Sequence, residues 1–416
     1  MPIPIHIDKR ILIFIMAAML CLNSVVLLAV RKKIMEGKND FPIFYSNAQM
    51  VREGKASALY DFDAENTFTR RVTDVERPPY NHMPYELLFF VPFTYLQFRA
   101  AYIVWTILSV AMLVGVALTV RNLFPDRWTF SLALLTILAF YPEWCCLMQG
   151  QDSILLLCLF VVSFWFWRRG KDDIAGFVLA LGLFRPQLVL PFVFIAFLAG
   201  KWKFVRGFVP GAAIVLALST WVVGWHGMGE YARLLISQGS QQSARVLDKQ
   251  WEIKPGVMTT WRGFLWVLLP AWVPAGVRTF LLLAGTFAGL GWAAKQMRRA
   301  KGLAASDLAV AIAVATTLLV SFHSFLHDFS LMILPLLICG SMLAGSAVVP
   351  KKTAYLIVTL GFSFFLTPLY IALAPNAGWL FLSESLAIWL VSRWAGDWRT
   401  GTVEAPRPAV ELGVTI

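Results

Sequence analysis

Asp40 stands about ten residues beyond an apolar run, in Asn39-Asp40-Phe41-Pro42-Ile43-Phe44-Tyr45. A carboxylate held there is placed to take a proton from an alcohol and make it a nucleophile. Asp before Phe-Pro also reads as a helix N-cap with Pro42 in the first turn, and the two roles are compatible, because a cap fixes the carboxylate's direction. Arg185, in Arg185-Pro186-Gln187, lies in the middle of an apolar stretch. A cation at membrane depth faces protein or a wet cavity, and a guanidinium fork suits a phosphate. The alternative partner is a carboxylate elsewhere in the chain. His323 and His327 are four apart in Ser321-Phe322-His323-Ser324-Phe325-Leu326-His327-Asp328, so on a helix they share one face. Such a pair binds phosphate, orients an acid, or caps helices at an interface. Two histidines without an HExxH pattern make a weak metal site. Gln149-Gly150-Gln151-Asp152 is a polar turn. Leu59-Tyr60-Asp61 and Arg77-Pro78-Pro79-Tyr80-Asn81-His82-Met83-Pro84 share the loop of Asp40, and the prolines make the second a stiff, non-helical approach to the next helix. No P-loop, GxGxxG, GxSxG or kinase signature occurs.

These residues need elements to hold them, and the composition points to a membrane bundle. Of 416 residues, 58% are hydrophobic and 14% charged, with a mean hydropathy of +0.68; an ordinary soluble domain carries about 25% charged residues. Apolar runs fall near 11–30, 85–120, 128–147, 153–167, 173–184, 187–200, 204–224, 263–294, 304–322, 327–348, 353–372 and 379–392. The first follows Lys9 and Arg10 and reads as a retained signal anchor. The run from Asp172 to Gly200 is long for one span and short for two, which predicts a hairpin of short helices with Arg185 at its tip. The run 85–120 predicts an interfacial helix followed by a full span.

The net charge of +12 sits in short loops between these runs, as the positive-inside rule requires, and not in a nucleic-acid-binding arm. With the hairpin counted as in-and-back, Arg121/Arg127, Arg168/Arg169/Lys171, Lys201/Lys203/Arg206, Lys295/Arg298/Arg299/Lys301, Lys351/Lys352 and Arg393/Arg399 all fall on one side, the predicted cytoplasmic side, with both termini. Arg31, Lys32 and Lys33 run against that count, but they open a long loop. The other side then carries a long first exterior loop, 31–84, and a second, 225–262, both part of one domain over 1–400, followed by a cytoplasmic tail, 401–416. Cys21, Cys145, Cys146, Cys158 and Cys339 lie in or beside apolar runs and read as small hydrophobes, without a disulfide framework or zinc site.

Along most of its length the chain resembles glycosyltransferase family 87. The resemblance runs through Asn39-Asp40-Phe41, Phe44-Tyr45, Ala48, Gly54, Leu59-Tyr60-Asp61, Pro78-Pro79-Tyr80, Gly150-Gln151, Arg185-Pro186-Gln187 and His327-Asp328-Phe329. It implies an all-α polytopic membrane protein, a C-type glycosyltransferase-like bundle of about 11–12 transmembrane helices. It implies a polyprenyl-phosphate-sugar donor, with mannose as the expected sugar, a lipid or glycan acceptor, and inversion at the anomeric carbon, in a bacterial inner membrane. By the same resemblance Asp40 is the catalytic base and His327 lies near the donor phosphate, which Arg185 should also bind; Tyr45, Asp61, Gln151 and His323 are candidates for further substrate contacts. No cofactor, metal ligand or nucleic-acid partner is assigned from the sequence. The chain departs from the family where Arg185 replaces a frequent lysine and where Asn81-His82 follow the two prolines. A transporter or lipid flippase is the competing reading, but it predicts polar residues along a path and repeated halves; the polar residues here gather on one face.

Overall fold

The computed structural model describes residues 9–239, 255–345, 351–368 and 378–399. The predicted tail 401–416, and 240–254 of the predicted second exterior loop, lie outside the described residues. Among those described there are helices and turns but no strand, so the chain is an all-α polytopic membrane protein.

Helix α1 (Lys9–Met35) is apolar and peripheral, with only 11% of its apolar stretch buried. The segment after it is no simple connector. It holds α2 (Phe41–Arg52), α3 (Phe62–Thr69) and α4 (Leu87–Phe90), then a short turn over Val91–Tyr95. These close on an aromatic core of their own. Phe44 stacks on Phe90 at 4.8 Å, and Phe41 meets the ring of Tyr102 edge-on at 5.6 Å. Tyr102 belongs to α5 (Phe98–Leu123), so this small core is riveted to the main bundle. For 85–120 the expected long span is present as α5, but in place of an interfacial helix there are only short turns and the four residues of α4.

Helices α6 (Phe130–Ala139) and α7 (Tyr141–Gln149) meet at a 67° bend. Pro142 stands in the first turn of α7, where it lacks the N–H that would continue α6. Then come α8 (Ser153–Arg168) and the hairpin α9 (Asp172–Ala180) and α10 (Pro186–Leu198), two short helices joined at 181–185 as the sequence predicts. Helix α11 (Trp202–Gly239) packs against α9 and breaks at Gly224. The α9–α11 approach is backbone on backbone: a Cβ on Gly176 would lie 2.0 Å from the Phe204 carbonyl oxygen, and one on Gly207 would lie 1.8 Å from that of Asp173. Small residues at a crossing are how membrane helices come this close. The rest comprises α12 (Trp261–Leu268), α13 (Ala275–Arg299), α14 (Leu303–Val320), α15 (Ile333–Gly345), α16 (Lys351–Phe365) and α17 (Gly378–Arg399). Helix α14 is the central post, with 78% of its apolar stretch buried.

Five described helices are long and apolar enough to cross a bilayer: α1, α5, α11, α13 and α14. The bent α6–α7 pair would make a sixth crossing. Shorter apolar helices, among them α8 and α10, complete the bundle. Ile107, Trp221 and Phe280 project outward from α5, α11 and α13. Lipid is the solvent that makes such side chains inexpensive to expose.

Candidate active site

The helix polarities define two ends of the bundle. At one end α5 and α8 finish in Arg121 and Arg168, and α14 begins. Arg168 pairs there with buried Asp307 at 3.2 Å. At the other end α7 finishes, α8 and α10 begin and α14 finishes, and here five separated turns converge on one buried polar network.

Arg185 is at its centre, only 2% exposed, at the tip of the α9–α10 hairpin just before α10. Its Nε donates to Asp152 Oδ1 at 2.8 Å, and its Nη1 to Asp328 Oδ1 at 2.7 Å. Its Nη2 donates to Gln151 Oε1 at 2.5 Å and also to Asp152. The carboxylate partner anticipated as the alternative for Arg185 is therefore present twice over. His327 Nε2 lies 3.4 Å from Arg185 Nη1 and 3.6 Å from Asp328 Oδ2. Ser153 Oγ and the Phe325 N–H donate to Asp328, which fixes that carboxylate between α8 and the 321–328 segment.

Gln151 links this centre to Asp40. Its Nε2 donates to Asp40 Oδ2 at 2.8 Å while its Oε1 receives Arg185. Asp40 occupies the N-cap position of α2, with Pro42 in the first turn, yet its side chain makes no capping hydrogen bond. The position is that of a cap, and the carboxylate is left for other work. Asn39 anchors this corner by donating to the Met148 carbonyl at 3.0 Å. Gly150 makes the corner possible: its φ of +68° is a left-handed value, and a Cβ there would lie 2.6 Å from Phe41 Cβ.

A third arm enters from the prolines of the 36–97 segment. His82 Nδ1 lies 2.7 Å from Glu86 Oε2 and 3.4 Å from Asp152 Oδ2. Tyr80 Oη donates to Glu86 at 2.8 Å. All three acids, Glu86, Asp152 and Asp328, are fully buried.

Of the residues anticipated from sequence, the structure thus joins Asp40, Gln151, Arg185 and His327. His323 is buried nearby, its ring packed against Phe325 at 4.7 Å. Its expected sharing of a helix face with His327 does not occur, because α14 ends at Val320 and a non-helical stretch follows. Ser321 Oγ holds that stretch by bonding both the N–H and the carbonyl of His323. Tyr45 and Asp61 do not enter the network. The Tyr45 hydroxyl ties α2 to the Leu96 carbonyl at 2.7 Å, and Asp61 caps α3 by accepting from the Asp63 and Ala64 N–H groups. Glu86, and the carboxylates of Asp152 and Asp328 as partners of Arg185, were not singled out from sequence. The i, i+4 spacing of His82 and Glu86 was the one available signal.

Buried Glu65 organises the same segment from α3. Its two carboxyl oxygens accept the N–H groups of Tyr60 at 2.9 Å and Tyr80 at 2.8 Å. Burial pushes its pKa up to about 8, against those two donors, which favour the charged form. An open polar cleft of about 530 Å³, lined by Glu36, Lys38, Asp74, Gln97 and Arg99, lies beside the start of α2.

A family model for glycosyltransferase family 87 matches residues 82–321, more than half of the chain. That stretch contains His82, Glu86, Gln151, Asp152 and Arg185; Asp40 and His327 flank it. No curated protein and no solved structure matches the chain.

Proposed function

The chain belongs to glycosyltransferase family 87, and we propose that it moves a sugar, mannose in the first instance, from a polyprenyl-phosphate donor to a lipid-linked or envelope-glycan hydroxyl at the outer face of a bacterial inner membrane. Asp40 is the base. As the acceptor oxygen attacks the anomeric carbon, its proton passes to the Asp40 carboxylate. The bond from that carbon to the phosphate oxygen breaks, and polyprenyl phosphate leaves with the electron pair. One displacement inverts the configuration. Phosphate is already a good leaving group, so the protein supplies the base, alignment and positive charge. His327 is the donor-phosphate contact in this reading, with His323 beside it, and Arg185, held by Asp152, Asp328 and Gln151, supports the phosphate site with its charge. Gln151 aligns the base with the phosphate site by bonding Asp40 and Arg185 at once. The cleft lined by Lys38 and Arg99 is the acceptor's approach.

The observation that carries the reading is Asp40 itself: a partly exposed carboxylate at a helix start that spends nothing on capping and is held from the side by a glutamine amide. The test is transfer by the detergent-purified full chain, supplied with radiolabelled polyprenyl-phosphate sugars and membrane lipid extract. Label should move from donor to a new lipid or glycan product. Absence of transfer from every polyprenyl-phosphate sugar, by protein that elutes as a folded species, would falsify the donor assignment.

A further inference from the structure

We propose that His82, Glu86 and Asp152 form a binding site for one divalent cation of the manganese or zinc kind, joining the segment before α5 to the α7–α8 turn. One ligand atom from each residue lies within 4.8 Å of the other two, and all three side chains are buried. In a tetrahedral site with ligands at about 2.1 Å, neighbouring ligand atoms are roughly 3.4 Å apart. The His82 Nδ1 to Asp152 Oδ2 distance is already 3.4 Å; the Nδ1 to Glu86 Oε2 edge, at 2.7 Å, opens by under an ångström to admit an ion.

Two further observations point to a cation. Glu86 Oε1 and Asp152 Oδ2 are buried oxygens that accept no hydrogen bond from the protein, and such acceptors are costly unless something positive meets them. The cluster is also acid-rich: Glu86, Asp152 and Asp328 are three buried acids that face one buried arginine and the imidazole of His82. The surroundings resemble those of working metal ligands, whose carboxylates are themselves hydrogen-bonded. Tyr80 Oη donates to Glu86, and Arg185 holds the other oxygen of Asp152. An imidazole with two carboxylates suits manganese or zinc, and three protein ligands leave a position open. Through Asp152 the ion and Arg185 share one carboxylate, so the ion adds positive charge where an anionic donor would otherwise meet an excess of acids. The binding claim does not rest on the glycosyltransferase reading, since its readout needs no sugar.

The test is manganese binding by the purified full chain after chelator treatment and dialysis, followed as loss of the free Mn²⁺ electron-paramagnetic-resonance signal, with zinc as competitor. The parent should bind about one ion per chain, and Glu86→Gln and His82→Gln should lower affinity by roughly tenfold or more. Asp61→Asn, in the same segment but away from the triad, should bind like the parent. A rise in the parent's thermal midpoint on adding manganese reads the same site without any variant. The proposal is overturned if the parent gives neither stoichiometric binding nor a midpoint rise with either ion, or if folded Glu86→Gln binds as the parent does; the triad is then a proton-sharing His–carboxylate cluster.

Discussion

Asp40 and Asp61 lie in one segment, both at helix starts, and the structure gives them opposite employment. Asp61 is consumed by the N–H groups of Asp63 and Ala64, whereas Asp40 bonds only sideways to Gln151. Asp40→Asn keeps an oxygen for the Gln151 amide but cannot take a proton. It should therefore express and fold like the parent and lose turnover by a factor on the order of 10² or more. Asn is as good a cap as Asp, so Asp61→Asn should leave transfer within a few-fold. Steady-state transfer at matched protein level checks both, and near-parental activity in Asp40→Asn would remove it as the base. Glu65 gives a pH prediction of definite sign. Its folded-state pKa of about 8 lies above the ordinary 4.5, so its contribution is fully present below pH 4.5 and is lost as pH rises through 8. Across that window the loss is about 1.4 kcal/mol per pH unit. Amide protection at Tyr60 and Tyr80, corrected for intrinsic exchange, should fall as pH rises from 4.5 to about 8 in the parent, level off above that, and stay level throughout in Glu65→Gln. At this scale the sequence exposed the residues with unusual positions, Asp40 and Arg185, because a charge beside or within an apolar run is visible in one dimension. It did not expose Glu86 or the pairing of Arg185 with Asp152 and Asp328, since an acid near a helix start looks the same whether it faces solvent or a buried arginine.

The elements act by fixing turns, and the α7–α8 turn is the one on which both arms of the site depend. Gly150 there combines a left-handed φ of +68° with direct contact against Phe41, whereas Gly54, at φ +70°, has open space around it. Gly54→Ala should cost only the strain of the left-handed conformation, about 1–2 kcal/mol. Gly150→Ala adds a 2.6 Å clash that pushes Gln151 away from Asp40. It should lower the thermal midpoint further than Gly54→Ala, at a total of a few kcal/mol, and should reduce transfer where Gly54→Ala does not. Equal effects of the two substitutions on transfer would show that contact with Phe41 is unimportant. Element boundaries were largely legible. Prolines marked the starts of α2 and α10, and the short apolar length of 172–200 announced the hairpin, whereas the run 128–147 reads as one segment and hides the break between α6 and α7. The glycine contacts between α9 and α11 were not legible, because close approach is a property of two segments, and only the fold says which glycines meet. The 321–328 stretch misled in the opposite way: His323 and His327 carry helical spacing, but side-chain bonds from Ser321 and Asp328 hold the backbone out of the helix.

For the whole molecule, the site gathers at the end of the bundle opposite Arg121 and Arg168, which agrees in arrangement with cations collected on one side. Orientation in the cell follows as a prediction. With the chain's own cysteines replaced, exposed Ser57→Cys should react with an impermeant maleimide on intact cells. Reaction only after lysis would reverse the assignment of sides. The long reach of the central network has a consequence for how the protein is made. Arg185 is inserted long before Asp328, 143 positions later, and Asp40 waits 111 positions for Gln151. During synthesis the growing chain therefore carries an arginine that has Asp152 but not yet Asp328 to pair with, and breaking or leaving incomplete a buried charge cluster costs about 3–5 kcal/mol. A polypeptide that stops before the 321–328 stretch keeps that defect, and should be less stable in the membrane for want of the contacts that, once complete, hold Asp40, Gln151 and Arg185 in one network.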